Sequence, residues 1–140
     1  MQNKTVGVFG TGKIGKIVCE ILRGFKMRVI AYDMYRDDAW AAANQVEYVS
    51  NADEVYAQSD VISLHAPLTA ENFHMVNADA IGKMKKGVMI VNTGRGGVID
   101  TKALLEGLKT GKIGGVALDV CVPLSLSLSL SICKRHLIYY

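Results

Sequence analysis

Short apolar runs alternate along this chain with stretches of helical periodicity. Val6-Gly7-Val8-Phe9, Arg28-Val29-Ile30-Ala31-Tyr32, Val61-Ile62-Ser63-Leu64, Val88-Met89-Ile90-Val91-Asn92 and Val116-Ala117-Leu118 read as strands, with Glu47-Tyr48-Val49 as a further edge strand. After the first run Ile14, Val18, Ile21, Leu22 and Phe25 recur at helical spacing, which predicts an amphipathic helix with that stripe inward. Short helices are predicted from Asp37 to Ala43 with Trp40 as a packing residue, from Asn51 to Ala57 with Asn51 as cap, and from Asn77, again a cap, through Met84. Thr101 to Thr110 is amphipathic through Ala103, Leu104 and Leu108, and Gly111 stops it. The strand runs lack polar alternation, as expected where both faces of a sheet are covered. Strands alternating with helices predict an α/β fold, a doubly wound parallel sheet. In such sheets ligands bind at the carboxyl ends of the strands, where strand order reverses. Gly12, Asp33, Pro67, Arg95 and Asp119 all fall at predicted strand ends.

Chemistry enters at the first of those ends. Gly10-Thr11-Gly12-Lys13-Ile14-Gly15 is a glycine-spaced turn between a strand and a helix, the order that suits a dinucleotide pyrophosphate. Gly10 permits the sharp turn, Gly12 has no Cβ to hold phosphates off, and Gly15 lets the helix approach the strand closely. The first free N–H groups of the helix then face the phosphates. The second strand closes a βαβ unit and ends at Asp33, about 20 residues past the glycines, where a carboxylate meets an adenosine ribose. A carboxylate there accepts from ribose hydroxyls and repels a 2′-phosphate, so NAD is expected rather than NADP.

Composition narrows the classes. The length suits one domain, and with 50% apolar and 21% charged residues the chain has an ordinary soluble balance. A net charge of +3 with interspersed signs gives no case for nucleic acid, and Lys83, Lys85 and Lys86 read as a solvated helix end. Cys19, Cys121 and Cys133 show no metal-like spacing and imply no disulfide framework; Cys19 reads as a small core residue. Polar Gln2-Asn3-Lys4 runs straight into a strand, and no apolar run reaches transmembrane length. A cytoplasmic protein with no membrane partner and no metal is expected.

Taken together, Gly10 to Gly15 with Asp33, Leu64-His65-Ala66-Pro67-Leu68-Thr69, Val91-Asn92-Thr93-Gly94-Arg95-Gly96 and Gly115-Val116-Ala117-Leu118-Asp119-Val120 resemble the D-isomer-specific 2-hydroxyacid dehydrogenases. The wording Asp60-Val61-Ile62-Ser63-Leu64-His65 and Met89-Ile90-Val91-Asn92-Thr93 looks nearest to the D-lactate dehydrogenase branch. The resemblance implies a Rossmann-type NAD-binding domain over residues 1–120. It implies that Lys13 and Ile14 contact the pyrophosphate, that Asp33 takes the adenosine ribose, and that Ala66, Pro67 and Asn72 line the cofactor cleft. Thr93, Gly94 and Arg95 would flank the nicotinamide and Asp119 would hold its carboxamide. Arg95 would also grip the carboxylate of a small 2-keto or 2-hydroxy acid and polarise the carbonyl, a role for which a guanidinium fork between glycines is suited. The resemblance gives no acid–base role to His65, expected to pack in the cofactor-lining turn; His74 reads as a helix-face residue, and His136 matches nothing in the family.

Hydride transfer to a 2-keto acid also needs a proton donor, commonly a histidine tuned by a carboxylate. The family's glutamate would follow Val120, where this chain reads Cys121-Val122-Pro123-Leu124, and the family's substrate lobe has no counterpart here. The expectation is therefore a domain truncated at both ends and inactive alone, and the family's dimer through this domain is put in question. Leu124-Ser125 through Leu130-Ser131 alternates strictly, which suits a half-buried strand; a CT dinucleotide repeat read in triplets encodes the same alternation. Residues 121–140 are accordingly expected to be a non-homologous, disordered tail. A corepressor-like NAD-sensing protein and a non-functional gene fragment are the alternatives.

Overall fold

In the computed structural model, which describes residues 3–119 and 137–139, the chain forms a parallel sheet with helices on both faces. Strands β1 (Thr5–Phe9), β2 (Arg28–Tyr32), β3 (Val46–Tyr48), β4 (Val61–Leu64), β5 (Val88–Asn92), β6 (Ile113–Leu118) and β7 (Leu137–Tyr139) lie in the order β3-β2-β1-β4-β5-β6-β7. Every pairing is parallel, so all carboxyl ends share one rim. Strand order reverses between β1 and β4. Of the expected tail, residues 137–139 pair with β6, and 120–136 and Tyr140, with the Leu–Ser alternation and His136, lie outside the described residues.

Two apolar layers sandwich the sheet. Helices α1 (Lys13–Gly24) and α2 (Asp38–Asn44) cover one face, where Cys19 and Ala41 meet Val6, Val8, Val29 and Ala31. Helices α3 (Ala52–Gln58), α4 (Ala78–Lys83) and α5 (Thr101–Lys109) cover the other, where Val55, Ile81 and Leu104 meet Phe9, Ile62 and Ile90. Short side chains set the helix starts: Asp37, Asn51, Asn77 and Asp100 each accept from a backbone N–H in the first turn of the helix that follows.

Four expectations need correction. The apolar stripe of α1 faces the sheet only in part: Leu22 packs against the core and Val18 is half-buried, but Ile14, Ile21 and Phe25 are 55–66% exposed, and Gly15 and Cys19 are the residues buried against the sheet. Small residues let the helix sit close to β1, and those exposed apolar residues, joined by Ile17, are left facing outward. The sheet is not covered throughout, since Met89 on β5 is 47% exposed. It lies on the α1–α2 side of the sheet, where α1 packs over β1 and β2 and α2 over β3, beyond reach of β5. His74 is no helix-face residue; it sits in a turn with φ +54° and stacks on Phe73 at 3.9 Å. Strand β6 starts at Ile113, earlier than expected, because Gly114 and Gly115 hid it; a Cβ on Gly114 would lie 2.6 Å from the Gly87 carbonyl oxygen.

Candidate functional site

The rim is stitched together by its own backbone. The Gly10 N–H donates to the Tyr32 carbonyl (3.0 Å), His65 N–H to Phe9 (2.8 Å) and Asp119 N–H to Asn92 (3.0 Å). The ends of β2, β1 and β4 are thereby linked in order, as are those of β5 and β6. His65 bridges the remaining gap, with Nε2 2.8 Å from the Ser63 hydroxyl and Nδ1 3.4 Å from that of Thr93. Burial holds its imidazole below the ordinary value, which favours the neutral ring in this bridging position.

The glycine turn is as tight as its spacing implies. Gly10 has φ +86°, and a Cβ there would lie 2.7 Å from the Ala66 amide nitrogen. A Cβ on Gly15 would lie 1.9 Å from the Gly10 carbonyl oxygen, so helix and turn are in contact. Gly12 is different: nothing lies within 4 Å of where its Cβ would be. It is the N-cap of α1, whose start carries no side-chain cap and no acidic residue in the first turn. The N–H groups of Lys13, Ile14 and Gly15 are thus left without intrahelical carbonyl partners beside open space, the arrangement that receives a phosphate.

Asp33, just past β2, is held by the turn. Its Oδ2 accepts from the Thr11 N–H (2.5 Å) and hydroxyl (3.0 Å), and its Oδ1 from the Tyr35 N–H (2.8 Å). A carboxylate has about four lone-pair sites, so one on Oδ1 remains for a ligand hydroxyl. Beside it opens a cleft of about 560 Å³ lined by Gly10, Asp33, Ala66, Pro67 and Asn72, with Tyr32, Tyr56 and Met75 among its other walls. Met34 and Tyr35 at its mouth are 77% and 86% exposed. Asn72 shapes the opposite wall, donating to the Pro67 carbonyl (2.6 Å) and accepting from the Thr69 N–H (2.8 Å).

Further along the rim, Asn92 is fully buried and organises the turn that carries Arg95. Its Nδ2 donates to the Arg95 carbonyl (3.0 Å) and its Oδ1 accepts from the Gly94 N–H (2.9 Å). Arg95 itself is exposed, with Nη1 on the Gly94 carbonyl (3.2 Å), and among the described residues it pairs with no carboxylate. Gly12, Lys13, Ile14, Gly15, Thr93, Gly94, Arg95 and Asp119 lie on the same rim but outside the cleft walls. Thr11, Tyr48 and Asn92 take part in this geometry without having been singled out from sequence. Thr11 lay inside the glycine turn and Tyr48 on an edge strand, and neither position announces a side-chain contact 37 residues away. Among the described residues no three His, Cys, Asp or Glu side chains cluster as a metal site.

A doubly wound parallel sheet with an uncapped glycine turn, a ribose-reach carboxylate and a cleft at the order reversal defines a dinucleotide-binding domain. The sequence model of the D-isomer specific 2-hydroxyacid dehydrogenase NAD binding domain matches residues 1–135, and the chain belongs to that family. Over 120 residues it is 52% identical to a D-lactate dehydrogenase of Escherichia coli (strain K12), covering 86% of this chain and 36% of that protein. It is 51% identical over 120 residues to an aromatic 2-oxoacid reductase of Clostridium sporogenes (strain ATCC 15579), covering 85% and 35%. The crystal structure of D-lactate dehydrogenase from Aquifex aeolicus, complexed with NAD and lactic acid, superposes with a TM-score of 0.86 at 36% identity, covering 97% of this chain and 45% of that one. The chain thus spans about a third of the length of the curated relatives it matches.

Proposed function

We propose that the chain seats NAD along the carboxyl rim and serves the hydride chemistry of a D-2-hydroxyacid dehydrogenase of D-lactate type. The observation that carries this reading is the open, uncapped start of α1 placed beside Asp33 on one rim. The N–H groups of Lys13, Ile14 and Gly15 hold the pyrophosphate, over the bare Cα of Gly12. The free lone pair of Asp33 takes the adenosine ribose, and the cleft walled by Gly10, Ala66, Pro67 and Asn72 takes the adenine, with Tyr35 and Met34 as apolar cover. Thr93 and Gly94 flank the nicotinamide and Asp119 accepts from its carboxamide. Arg95, unpaired with any described carboxylate, binds the substrate carboxylate and polarises the carbonyl.

NAD, when bound, supplies the hydride. Of the two described histidines, His65 is kept on the neutral side by burial between Ser63 and Thr93 and His74 stacks on Phe73, and neither contacts a carboxylate, so neither is a carboxylate-tuned donor for the developing alkoxide. The chain alone is therefore expected to bind NAD without turnover. Two relatives with different named activities, at 52% and 51% identity, support leaving the choice of 2-keto acid to residues outside this domain. A subunit contact through this domain would cover Ile14, Ile17, Ile21 and Phe25, which favours a dimer, and the buried free thiol of Cys19 suits a reducing, cytoplasmic setting. Among the described residues no helix is long and apolar enough to cross a membrane.

Calorimetric titration tests the reading. NAD should bind, Asp33→Ala should weaken it at least tenfold, and NADH mixed with pyruvate should not be consumed. A chain with no measurable affinity for NAD, or with native affinity after Asp33→Ala, overturns it.

A further inference from the structure

We infer that Tyr48 is a specificity-determining positioning residue, which orients the Asp33 carboxylate through the Thr11 hydroxyl and so sets the preference for an unphosphorylated ribose. The inference rests on the proposed NAD site and concerns a residue to which that site assigns nothing. The Tyr48 hydroxyl lies 2.6 Å from the Thr11 hydroxyl, which lies 3.0 Å from Asp33 Oδ2. At the other end the Asp37 N–H donates to the Tyr48 oxygen at 3.4 Å.

The direction of every proton in this chain follows from its ends. A backbone N–H can only donate and a carboxylate can only accept. If Thr11 donated to Tyr48, its oxygen and Asp33 Oδ2 would face each other without a hydrogen between them. The order is therefore Asp37 N–H to Tyr48, Tyr48 O–H to Thr11, and Thr11 O–H to Asp33. Bonds arranged in series polarise one another. Thr11 is 4% exposed, so water is poorly placed to replace the phenol if it is removed. The link joins the edge strand to the glycine turn and the ribose carboxylate, and by holding Oδ2 on Thr11 it leaves the remaining lone pair on Oδ1.

The ring of Tyr48 does a second thing. The Arg36 guanidinium lies 5.0 Å from its centre, with Nε and Nη2 on Asp38 Oδ1 at 3.1 and 2.9 Å. An arginine just past the ribose carboxylate is the cation that accommodates a 2′-phosphate. Here it is parked on an aromatic face and a carboxylate. Tyr48→Phe keeps the face and removes the hydroxyl, which separates the two roles.

The full chain and its Tyr48→Phe, Thr11→Val and doubly substituted forms would be titrated with NAD and with NADP. Tyr48→Phe should weaken NAD about five- to tenfold, the size of one hydrogen bond lost in a dry site. NADP affinity should stay as it is, so the NAD preference falls by the same factor. This ratio does not depend on the folded fraction of the sample, and a thermal melt reports the fold separately. Because Tyr48 acts through Thr11, adding Tyr48→Phe to Thr11→Val should cost nothing more in NAD affinity. An unchanged NAD preference in Tyr48→Phe, or losses that multiply in the double variant, overturns the inference while leaving the NAD site standing. A native chain that takes up no NAD removes both.

Discussion

Gly15→Ala sets two effects of known size against each other. In a helix interior alanine is favoured over glycine by about 1 kcal/mol, so propensity alone predicts a more stable protein. The Gly10 carbonyl oxygen lies only 1.9 Å from where the new Cβ would sit, with the Gly10 carbonyl carbon at 3.0 Å. The obstacle is backbone, held by the Gly10 N–H bond to Tyr32 and by a turn at φ +86°, so no side chain can swing aside. Helix and turn would have to separate by about 1 Å, drawing α1 off the core that Cys19 enters with 0% exposure. Overpacking of this kind costs about 1–3 kcal/mol or more, and it outweighs the propensity gain. A net cost of about 1–2 kcal/mol should lower the thermal midpoint of a domain of this size by about 3–8 °C.

The neighbouring glycine should behave in the opposite way. Gly12→Ala meets nothing within 4 Å at a backbone φ of −67°, so only a modest loss of N-cap preference, under about 1 kcal/mol, is expected in stability. Its methyl group would nevertheless fill the space over the free N–H groups, and NAD affinity should fall tenfold or more. Gly24→Ala, also free of neighbours, serves as the control and should be neutral or slightly stabilising. Scanning calorimetry and NAD titration on the three variants separate these outcomes. If Gly15→Ala melts at or above the native midpoint, or Gly12→Ala binds NAD as the native chain does, the close-approach account of this turn is wrong.

Three further outcomes follow from buried groups. His65 is held below its ordinary 6.5 by burial, so as pH falls through that value the unfolded chain takes up the proton first. Its stability contribution should be complete above about pH 6.5 and decline below it, and His65→Gln should flatten that part of the midpoint-versus-pH curve; an unaltered slope refutes the assignment. The Cys19 thiol is fully buried and pushed up to about 12, so mass-mapped alkylation at mildly alkaline pH should mark it only after denaturation. Asn92→Ala removes both bonds that hold the Arg95 turn and should cost about 1–3 kcal/mol, with faster hydrogen exchange at the Gly94 amide as the local signature.

Much of this fold is local and hence readable from local pattern. The runs at Val61–Leu64 and Val88–Asn92 match their strands residue for residue, and Asn51 and Asn77 cap the helices they precede. Glycine spacing also carries its meaning within a few residues, which is why the turn and the carboxylate at Asp33 are legible in the sequence. What escaped depends on which way a side chain turns once elements dock. Periodicity shows that α1 has an apolar stripe but cannot show that Gly15 and Cys19 take the sheet while Ile14, Ile17, Ile21 and Phe25 do not. Both sets recur at helical spacing, and only the size of the gap over β1 chooses between them.

The same distinction separates the two halves of the proposed site. The phosphate end is built from backbone, with N–H groups, bare Cα atoms and a positive φ, so its composition is nearly its geometry. The ribose end is built from side chains meeting across long separations: Asp33 with Thr11 at 22 residues, and Thr11 with Tyr48 at 37. Asp33 is legible because its spacing from the glycines is constrained by one βαβ unit. Tyr48 is not, because β3 is an edge strand whose register against β2 decides which residue reaches the turn. Ala31 pairs with Tyr48 in that register, and a slip of one residue would send the phenol to the other face of the sheet. Discrimination at the ribose therefore depends on strand pairing as well as on the acidic residue itself, and substitutions that loosen β3 should erode it even where Asp33 is untouched.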